Sequence, residues 1–263
     1  MSENVMIFEW LRNLKLFRRV NKLVTSFGRT DTGRVRANNE DSFAILADHN
    51  IFLVADGMGG HNSGEVASRV AIESLVEYFS KAVLLTMRGN REYIHHCMVN
   101  GLRQANEKVI RHATENKANR GMGCTLVAAF VDGDTLHTCH VGDARCYWSD
   151  GDRFEQVTTD HTLLAKTEAE DPDTGEKRKV SRHVVTRAMG FPFLEDPEYH
   201  VVDLPSEAKV LLCSDGLWSM VEDSRLQAIM YDTDSPEEAT DIMVREANEA
   251  GGKDNITALV VNC

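Results

Sequence analysis

Short apolar segments bordered by acidic residues restrict the fold of this chain more than any other feature of its sequence. The acids concerned are Glu40, Asp41, Asp56, Asp143, Asp215 and Asp254. Apolar segments of this length are typical of β-strands. One aspartate at a strand end is routine, because turns favour aspartate. Repeated along the chain, the pattern predicts a sheet edge at which several carboxylates meet.

Carboxylates packed together at one edge repel one another unless cations neutralise them. Oxygen ligands favour Mg²⁺ or Mn²⁺ over zinc. Two such ions about 3.5–4 Å apart can activate water and polarise a phosphoryl oxygen without a side-chain nucleophile. Gly57, which follows Asp56, would let a backbone carbonyl approach a cation closely. The acids therefore predict a dinuclear metal site that hydrolyses phosphoesters.

Arg36 precedes Asp41 by five positions, in Arg36-Ala-Asn-Asn-Glu-Asp41. Its guanidinium could bind a phosphate through two parallel hydrogen bonds. The spacing is equally compatible with an ordinary surface arginine, and it does not decide between the two.

The remaining pattern mixes strands and helices in an order typical of an α/β sandwich rather than repeated βαβ units. Strands are predicted at Phe43–Leu46, Ile51–Ala55, Thr125–Val131, Thr135–Val141, Ala144–Trp148, Val210–Cys213 and Ile256–Val261. The first two are expected to form a hairpin, and the next three a meander. Helices are predicted from about Gly64, over Arg91–Ala113 and over Pro236–Ala250, the last with Ser235 as N-cap. The residues Asp56–Gly60 are too glycine-rich for regular structure. Residues 163–188 are charged and poorly periodic, which predicts a mobile excursion, with a lid as one candidate role.

The composition of the chain restricts the partners and the cellular location that we expect for it. The net charge of −12 argues against nucleic-acid binding, which needs a basic surface. None of the six cysteines forms a C-x-x-C pair, so we expect reduced structural thiols and a cytoplasmic location. No apolar run is long enough to span a bilayer, and no signal peptide is evident. We expect a monomer.

Residues 1–24 form a separate basic amphipathic segment. Apolar residues recur there at helical spacing with lysine and arginine between them. The helix could pack on the domain, bind a partner protein or lie on an anionic membrane, and the pattern leaves all three open.

Seven short motifs occur in an order that resembles the type 2C metal-dependent serine/threonine phosphatases of bacteria. They are Arg36-Ala-Asn-Asn-Glu-Asp41, Asp56-Gly-Met-Gly-Gly60, Gly123-Cys-Thr125, Val141-Gly-Asp-Ala-Arg145, Asp160-His161, Ser214-Asp-Gly216 and Asp254-Asn-Ile-Thr257. The resemblance implies an α+β fold, a four-layer α-β-β-α sandwich of two mainly antiparallel sheets flanked by helices. It places the phosphatase domain at residues 25–263, with a flap at about 163–188.

The resemblance also implies metal ligands. Asp56 would bridge two Mn²⁺ or Mg²⁺ ions. Asp215 and Asp254 would complete the first ion, and Glu40 with the Gly57 carbonyl would hold the second.

Further roles follow from the same resemblance. Asp41 would act through bound water, and Asp143 would help to hold a third ion. Arg36 would bind the substrate phosphate. Met58 stands where many eukaryotic members carry a histidine proposed as general acid, which leaves His61, His161 or metal-bound water as candidates.

The activity implied is hydrolysis of phosphoserine and phosphothreonine in proteins by a metal-bridging hydroxide, in opposition to a cognate Ser/Thr kinase. The alternative is a non-catalytic scaffold or regulatory module that retains the fold.

Overall fold

Two five-stranded antiparallel sheets packed face to face form the centre of the molecule. The computed structural model describes residues 24–59, 63–80, 88–170 and 177–263. The amphipathic segment at the N-terminus, apart from Val24, and His61 lie outside the described residues.

The first sheet has the strand order β1-β12-β11-β6-β7, and its described pairs are all antiparallel. Its strands are β1 (Thr25–Asp31), β6 (Arg145–Ser149), β7 (Phe154–Gln156), β11 (Lys209–Cys213) and β12 (Ile256–Asn262). The apolar segments predicted around Val210 and Ile256 are therefore the adjacent strands β11 and β12. Both are central strands of the sheet, and their continuous hydrophobic sequence is typical of strands that are buried on both faces.

The second sheet has the order β10-β5-β4-β3-β2 and is antiparallel as well. Its strands are β2 (Asp41–Leu46), β3 (Ile51–Met58), β4 (Gly123–Asp132), β5 (Thr135–Val141) and β10 (Glu198–Asp203). The predicted hairpin of β2 and β3 is confirmed, with a short 3₁₀ turn at Ala47–His49 between the strands.

Helices cover the outer face of each sheet. They are α1 (Ser63–Phe79), α2 (Arg91–Glu115), α3 (Asp215–Trp218), α4 (Asp223–Asp232) and α5 (Pro236–Glu249), and Lys117–Asn119 adds a 3₁₀ turn. The apolar faces of α1 and α2 pack on the second sheet, and those of α3 to α5 pack on the first. Ser235 caps α5 as predicted, because its side chain accepts a hydrogen bond from the Glu238 N–H.

The layer between the sheets is an apolar core. Phe52 and Val54 of β3 meet Val210 and Leu212 of β11 there, all at most 1% exposed. With helices outside both sheets, this core confirms the four-layer α-β-β-α sandwich.

Two predictions about local structure are wrong. Asp56 to Met58 are regular strand, because Met58 pairs with Gly123 at the end of β3. The apolar run from Ala144 was predicted to continue the meander of β4 and β5. It instead forms β6 in the other sheet, since the chain turns at Gly142, whose φ is +101°. A Cβ there would lie 2.5 Å from the Thr125 Cβ, so the turn requires glycine.

The charged segment predicted to be a mobile excursion contains two strands. Strands β8 (Thr162–Glu170) and β9 (Lys177–Val185) pair as a separate two-stranded antiparallel hairpin. Across the described parts of the chain, no helix has the length and apolar character needed to cross a membrane.

Candidate metal centre

The predicted acids come together where strands of both sheets end. Asp41 opens β2 and lies opposite Asp56 on β3. Asp215 is the first residue of α3, directly after β11, and Asp254 precedes β12. Asp143 lies in the connection between β5 and β6, so its position depends on the glycine turn described above.

The alternation of side chains along a strand explains why these acids meet. Phe52 and Val54 point between the sheets, and the two-residue repeat places Asp56 on the same side of β3. On β2 the same repeat relates Asp41 to Phe43, which packs against that core. The acidic cluster is therefore the end of the layer between the sheets.

Asp41 is a buried carboxylate with one oxygen satisfied and the other not. Its Oδ2 accepts hydrogen bonds from the Ser214 hydroxyl at 2.7 Å and from the Thr257 hydroxyl at 2.6 Å. Its buried Oδ1 has no partner among the described residues. Burial raises the pKa of Asp41 to about 7, the two hydroxyls lower it, and the charges of Asp215 and Asp254 raise it further.

Asp56 has the most negative surroundings of the group. Removal from water raises its pKa well above the usual value, and the charges of Asp41, Asp215, Asp254 and Asp143 add to the rise. Because four other acids act on one carboxylate, the cluster binds protons or cations far more readily than isolated aspartates do.

Asp143 and Asp215 have related surroundings. Burial raises the pKa of Asp143 to about 7, with further contributions from Asp215 and Asp160. Burial also raises the pKa of Asp215, as does the charge of Asp254, while a hydrogen bond with Asp56 and the charge of Arg36 oppose the rise. The Oδ1 atom of Asp215 is buried and accepts no hydrogen bond from the described residues.

Glu40 and Gly57 lie together at the start of α1. The Gly57 N–H donates to the Glu40 carbonyl oxygen at 3.1 Å. A Cβ at Gly57 would lie 2.3 Å from the Gly64 carbonyl oxygen, so packing of β3 against α1 alone requires glycine here. Burial raises the pKa of Glu40, Arg36 lowers it, and Asp254 and Glu65 raise it.

Arg36 lies at the rim of the cluster. Its Nη2 is 2.6 Å from Asp254 Oδ2, and both side chains are partly exposed. Its charge also lowers the pKa of Glu40 and of Asp215, so it faces several acids at once.

Uncharged residues that the sequence did not single out hold the centre together. The Asn255 side chain accepts a hydrogen bond from the Glu40 N–H and donates to the carbonyl oxygens of Thr32 and Asn38, at 2.8 to 2.9 Å. The Ser214 hydroxyl also accepts a hydrogen bond from the Thr257 N–H at 3.0 Å. Their only sequence signal is that they fall within the acidic motifs.

The donor set fits hard divalent cations. It consists of carboxylate oxygens, two of them buried without a hydrogen-bond donor, at a place where burial, together with mutual repulsion, raises several pKa values. Mn²⁺ and Mg²⁺ prefer such oxygen ligands, and a cation would remove the repulsion.

A second cluster joins ligand atoms of His140, His161 and Glu198 within 4.8 Å of one another. The Gly142 N–H donates to His161 Nδ1 at 3.0 Å, which puts the ring proton on Nε2, 2.9 Å from Glu198 Oε2. That nitrogen then has no lone pair for a metal. The cluster instead braces the turn that carries Asp143.

The sequence matches known proteins along nearly its whole described length. A family model described as Protein phosphatase 2C matches residues 32–253. "Serine/threonine phosphatase stp" of Listeria innocua is 33% identical over 242 residues, which cover 89% of this chain and 93% of that protein. "Protein phosphatase PhpP" of Streptococcus pneumoniae is 33% identical over 240 residues, covering 89% and 95%.

Solved structures of bacterial phosphatases have a similar fold. The serine/threonine phosphatase PstP/Ppp of Mycobacterium tuberculosis superimposes with a TM-score of 0.75 at 27% identity, over 91% of this chain and 98% of that one. The catalytic domain of PstP in complex with two manganese ions gives a TM-score of 0.74 at 28% identity, over 91% and 97%.

Proposed function

The chain belongs to the protein phosphatase 2C family and is a metal-dependent protein serine/threonine phosphatase, and from this premise we propose that its acidic cluster is the catalytic centre. Its substrates are phosphorylated proteins. The observation that carries the proposal is the group of mutually repelling aspartates, with unpartnered buried oxygens on Asp41 and Asp215. The non-catalytic module left open by the sequence is set aside, because the named relatives are phosphatases.

Each acid has a role in this proposal. Asp56, on which the charges of four other acids act, would be a ligand of both cations. Asp215 and Asp254 would complete one of them, and Glu40 with the Gly57 carbonyl would hold the other. When bound, the cations supply Lewis-acid polarisation of the phosphoryl group and an activated water.

Asp41 acts one step away from the cations in the proposed centre. Its Oδ2 is already engaged by the Ser214 and Thr257 hydroxyls, so Oδ1 is the atom left to orient a water. Asp143, buried near Asp215, would help to hold a third cation.

Arg36 binds the substrate phosphate. In the present arrangement its guanidinium pairs with Asp254, and a cation on Asp254 would weaken that pair. The freed guanidinium can then donate two hydrogen bonds to phosphate oxygens and offset their charge. Arg36→Lys keeps the charge but loses the paired donors, so we expect about a tenfold rise in KM for a phosphopeptide with a smaller change in kcat.

A substrate panel tests the function itself. Chelated protein is supplied with Mn²⁺ or Mg²⁺ and offered phosphoserine, phosphothreonine and phosphotyrosine peptides of one sequence. We expect hydrolysis of the first two, dependent on the added ion. Equal hydrolysis in excess chelator, or a preference for phosphotyrosine, would contradict the proposal. The same panel ranks Mn²⁺ against Mg²⁺.

Residues 1–24 have a separate role in the proposal. Their basic amphipathic pattern supports binding to a partner protein or an anionic membrane surface, which would bring a cytoplasmic enzyme to its phosphoproteins and to a cognate Ser/Thr kinase. Deletion of this segment should change localisation and leave turnover of p-nitrophenyl phosphate unaltered. Loss of folding on deletion would instead indicate a helix packed on the domain.

A further inference from the structure

A groove lined mainly by apolar side chains lies beside the acidic cluster. Its volume is about 530 Å³. Its walls are Met58 at the end of β3, residues 185–188 at the base of the β8–β9 hairpin, and residues 191–195 of the connection before β10. Met58 follows Asp56 by two residues on a regular strand, so the groove begins about 7 Å along β3 from Asp56.

The groove presents large apolar side chains to solvent. Leu194 is 99% exposed and Phe191 is 47% exposed. Apolar residues grouped in a concave site mark binding surfaces more often than ordinary surface does. No role in fold stability accounts for a leucine that contacts so little of its own protein.

Hydrogen bonds hold the groove in shape. The Asn106 side chain donates to the Phe191 carbonyl oxygen at 2.8 Å and accepts from the Gly190 N–H at 2.6 Å. The Phe191 ring lies over Gly123, the strand partner of Met58, since a Cβ at Gly123 would be 2.9 Å from the ring. The groove floor is therefore fixed relative to β3.

The two walls are also joined to each other. Arg187, from the hairpin base, donates hydrogen bonds to the carbonyl oxygens of Glu195 and Asp196 across the groove. Its guanidinium lies 3.7 Å from the Glu195 carboxylate as well. A groove formed in advance binds a ligand without the entropy cost of ordering its walls.

We propose that this groove binds an apolar side chain of the phosphoprotein substrate, two residues away from the phosphorylated serine or threonine. In an extended peptide, side chains two positions apart lie on the same side and about 7 Å apart. That spacing matches the separation of Asp56 and Met58 along β3. The inference rests on the proposed function, since it places the phosphorylated residue at the acidic cluster.

Matched phosphopeptides test the inference. They carry one phosphothreonine and differ only in leucine or serine at the positions two before and two after it. With Mn²⁺ present, the full chain should show about tenfold higher kcat/KM for leucine at one of these positions. Leu194→Ser and Phe191→Ala should each reduce this ratio towards one. Both variants should hydrolyse p-nitrophenyl phosphate, which has no flanking residues, at the wild-type rate.

Tyr231 offers a control with similar surface chemistry. It is 68% exposed on α4, on the outer face of the other sheet, so Tyr231→Ser should leave the peptide ratio unchanged. If the wild-type protein hydrolyses leucine and serine peptides equally, the groove inference is overturned and the proposed function stands. If it hydrolyses no phosphopeptide at all, both fail. If Leu194→Ser changes only the sedimentation behaviour, the groove joins two copies of the chain, which also overturns the inference.

Discussion

The layer between the two sheets has an apolar interior and an acidic end, and both are made by the same side of the same strands. On β3, Phe52 and Val54 fill the interior, and Asp56 continues their two-residue repeat into the acidic cluster. On β12, Leu259 is interior and Thr257 binds Asp41. The interior stabilises the fold with or without bound cations, because burial of apolar surface needs no partner from solution. The acidic end opposes folding until cations or protons neutralise it.

The largest expected effect is on activity at the acidic end. Asp56→Asn removes the carboxylate on which the charges of four other acids act, and hydrolysis of a phosphopeptide should fall at least about 100-fold. The metal-free protein should melt at the same temperature or higher, because a repelling charge is gone. Asp232→Asn, an exposed acid at the end of α4, is the control and should change neither quantity. Retained activity in Asp56→Asn would show that the acidic end is not the part of the layer that supports catalysis.

The interior should respond in the opposite way. Leu212 is fully buried between the sheets, and Leu212→Ala should lower the free energy of unfolding by about 2–5 kcal/mol. Denaturant titration should give the same loss with Mn²⁺ and with chelator, because the leucine contributes through packing. A loss that depended strongly on Mn²⁺ would show that the two regions are not independent.

The stability of the protein should depend on pH differently with and without bound metal. Aspartate in an unfolded chain has a pKa near 3.9, whereas burial raises those of Asp41 and Asp143 to about 7. Between these values the metal-free folded state holds more protons than the unfolded state. The contribution of these two acids to stability is therefore fully present below their unfolded pKa and is lost as pH rises through about 7. In chelator, the acids should therefore lower the melting temperature as pH rises from 5 to 8.

Added Mn²⁺ should reverse this trend, because cations replace protons as the neutralising charge. The rise in melting temperature on adding Mn²⁺ should be larger at pH 8 than at pH 5. The double variant Asp41→Asn/Asp143→Asn serves as the control and should weaken the pH dependence in chelator, with the remainder due to the other buried acids. An equal effect of Mn²⁺ at both pH values would contradict the replacement of protons by cations at the acidic end.

The smallest effect is expected where interior and acidic end meet. Thr257→Val keeps the shape of the side chain but removes the hydroxyl that donates to Asp41 Oδ2. The pKa of Asp41 should rise further, and the metal-free protein should lose about 1–2 kcal/mol at pH 8. Thr257→Ser retains the donor and should behave like the wild type. Equal losses in both variants would attribute the effect to packing.

The sequence predicts much of this architecture because a strong hydrophobic periodicity distinguishes helices from strands. The apolar segments at Val210 and Ile256, the helix after Arg91 and the Ser235 cap all lie where the pattern placed them. Phosphatase-like function also follows, since the order of seven acidic and glycine motifs is far more specific than any one of them.

Other features depend on contacts that a local pattern cannot encode. The apolar run after Ala144 is compatible with either sheet, and the conformation of Gly142 decides that it crosses to the other one. Charged residues concealed the β8–β9 hairpin, because its pairing is set by the backbone. Asn255 has no charge or periodicity to mark it, and only the fold shows that it holds three positions of the connection between β1 and β2 against the start of β12.

A Mn²⁺ titration of chelated wild-type and Asp56→Asn protein, with phosphothreonine-peptide hydrolysis and melting temperature followed in the same samples, tests whether the acidic end is the catalytic metal centre. In the wild type, both should rise together and saturate at the same Mn²⁺ concentration. In Asp56→Asn, hydrolysis should stay absent, and the melting temperature should respond weakly. Wild-type hydrolysis that persists without Mn²⁺, or an Asp56→Asn titration that matches the wild type, would contradict the assignment of the acidic end as the catalytic metal centre.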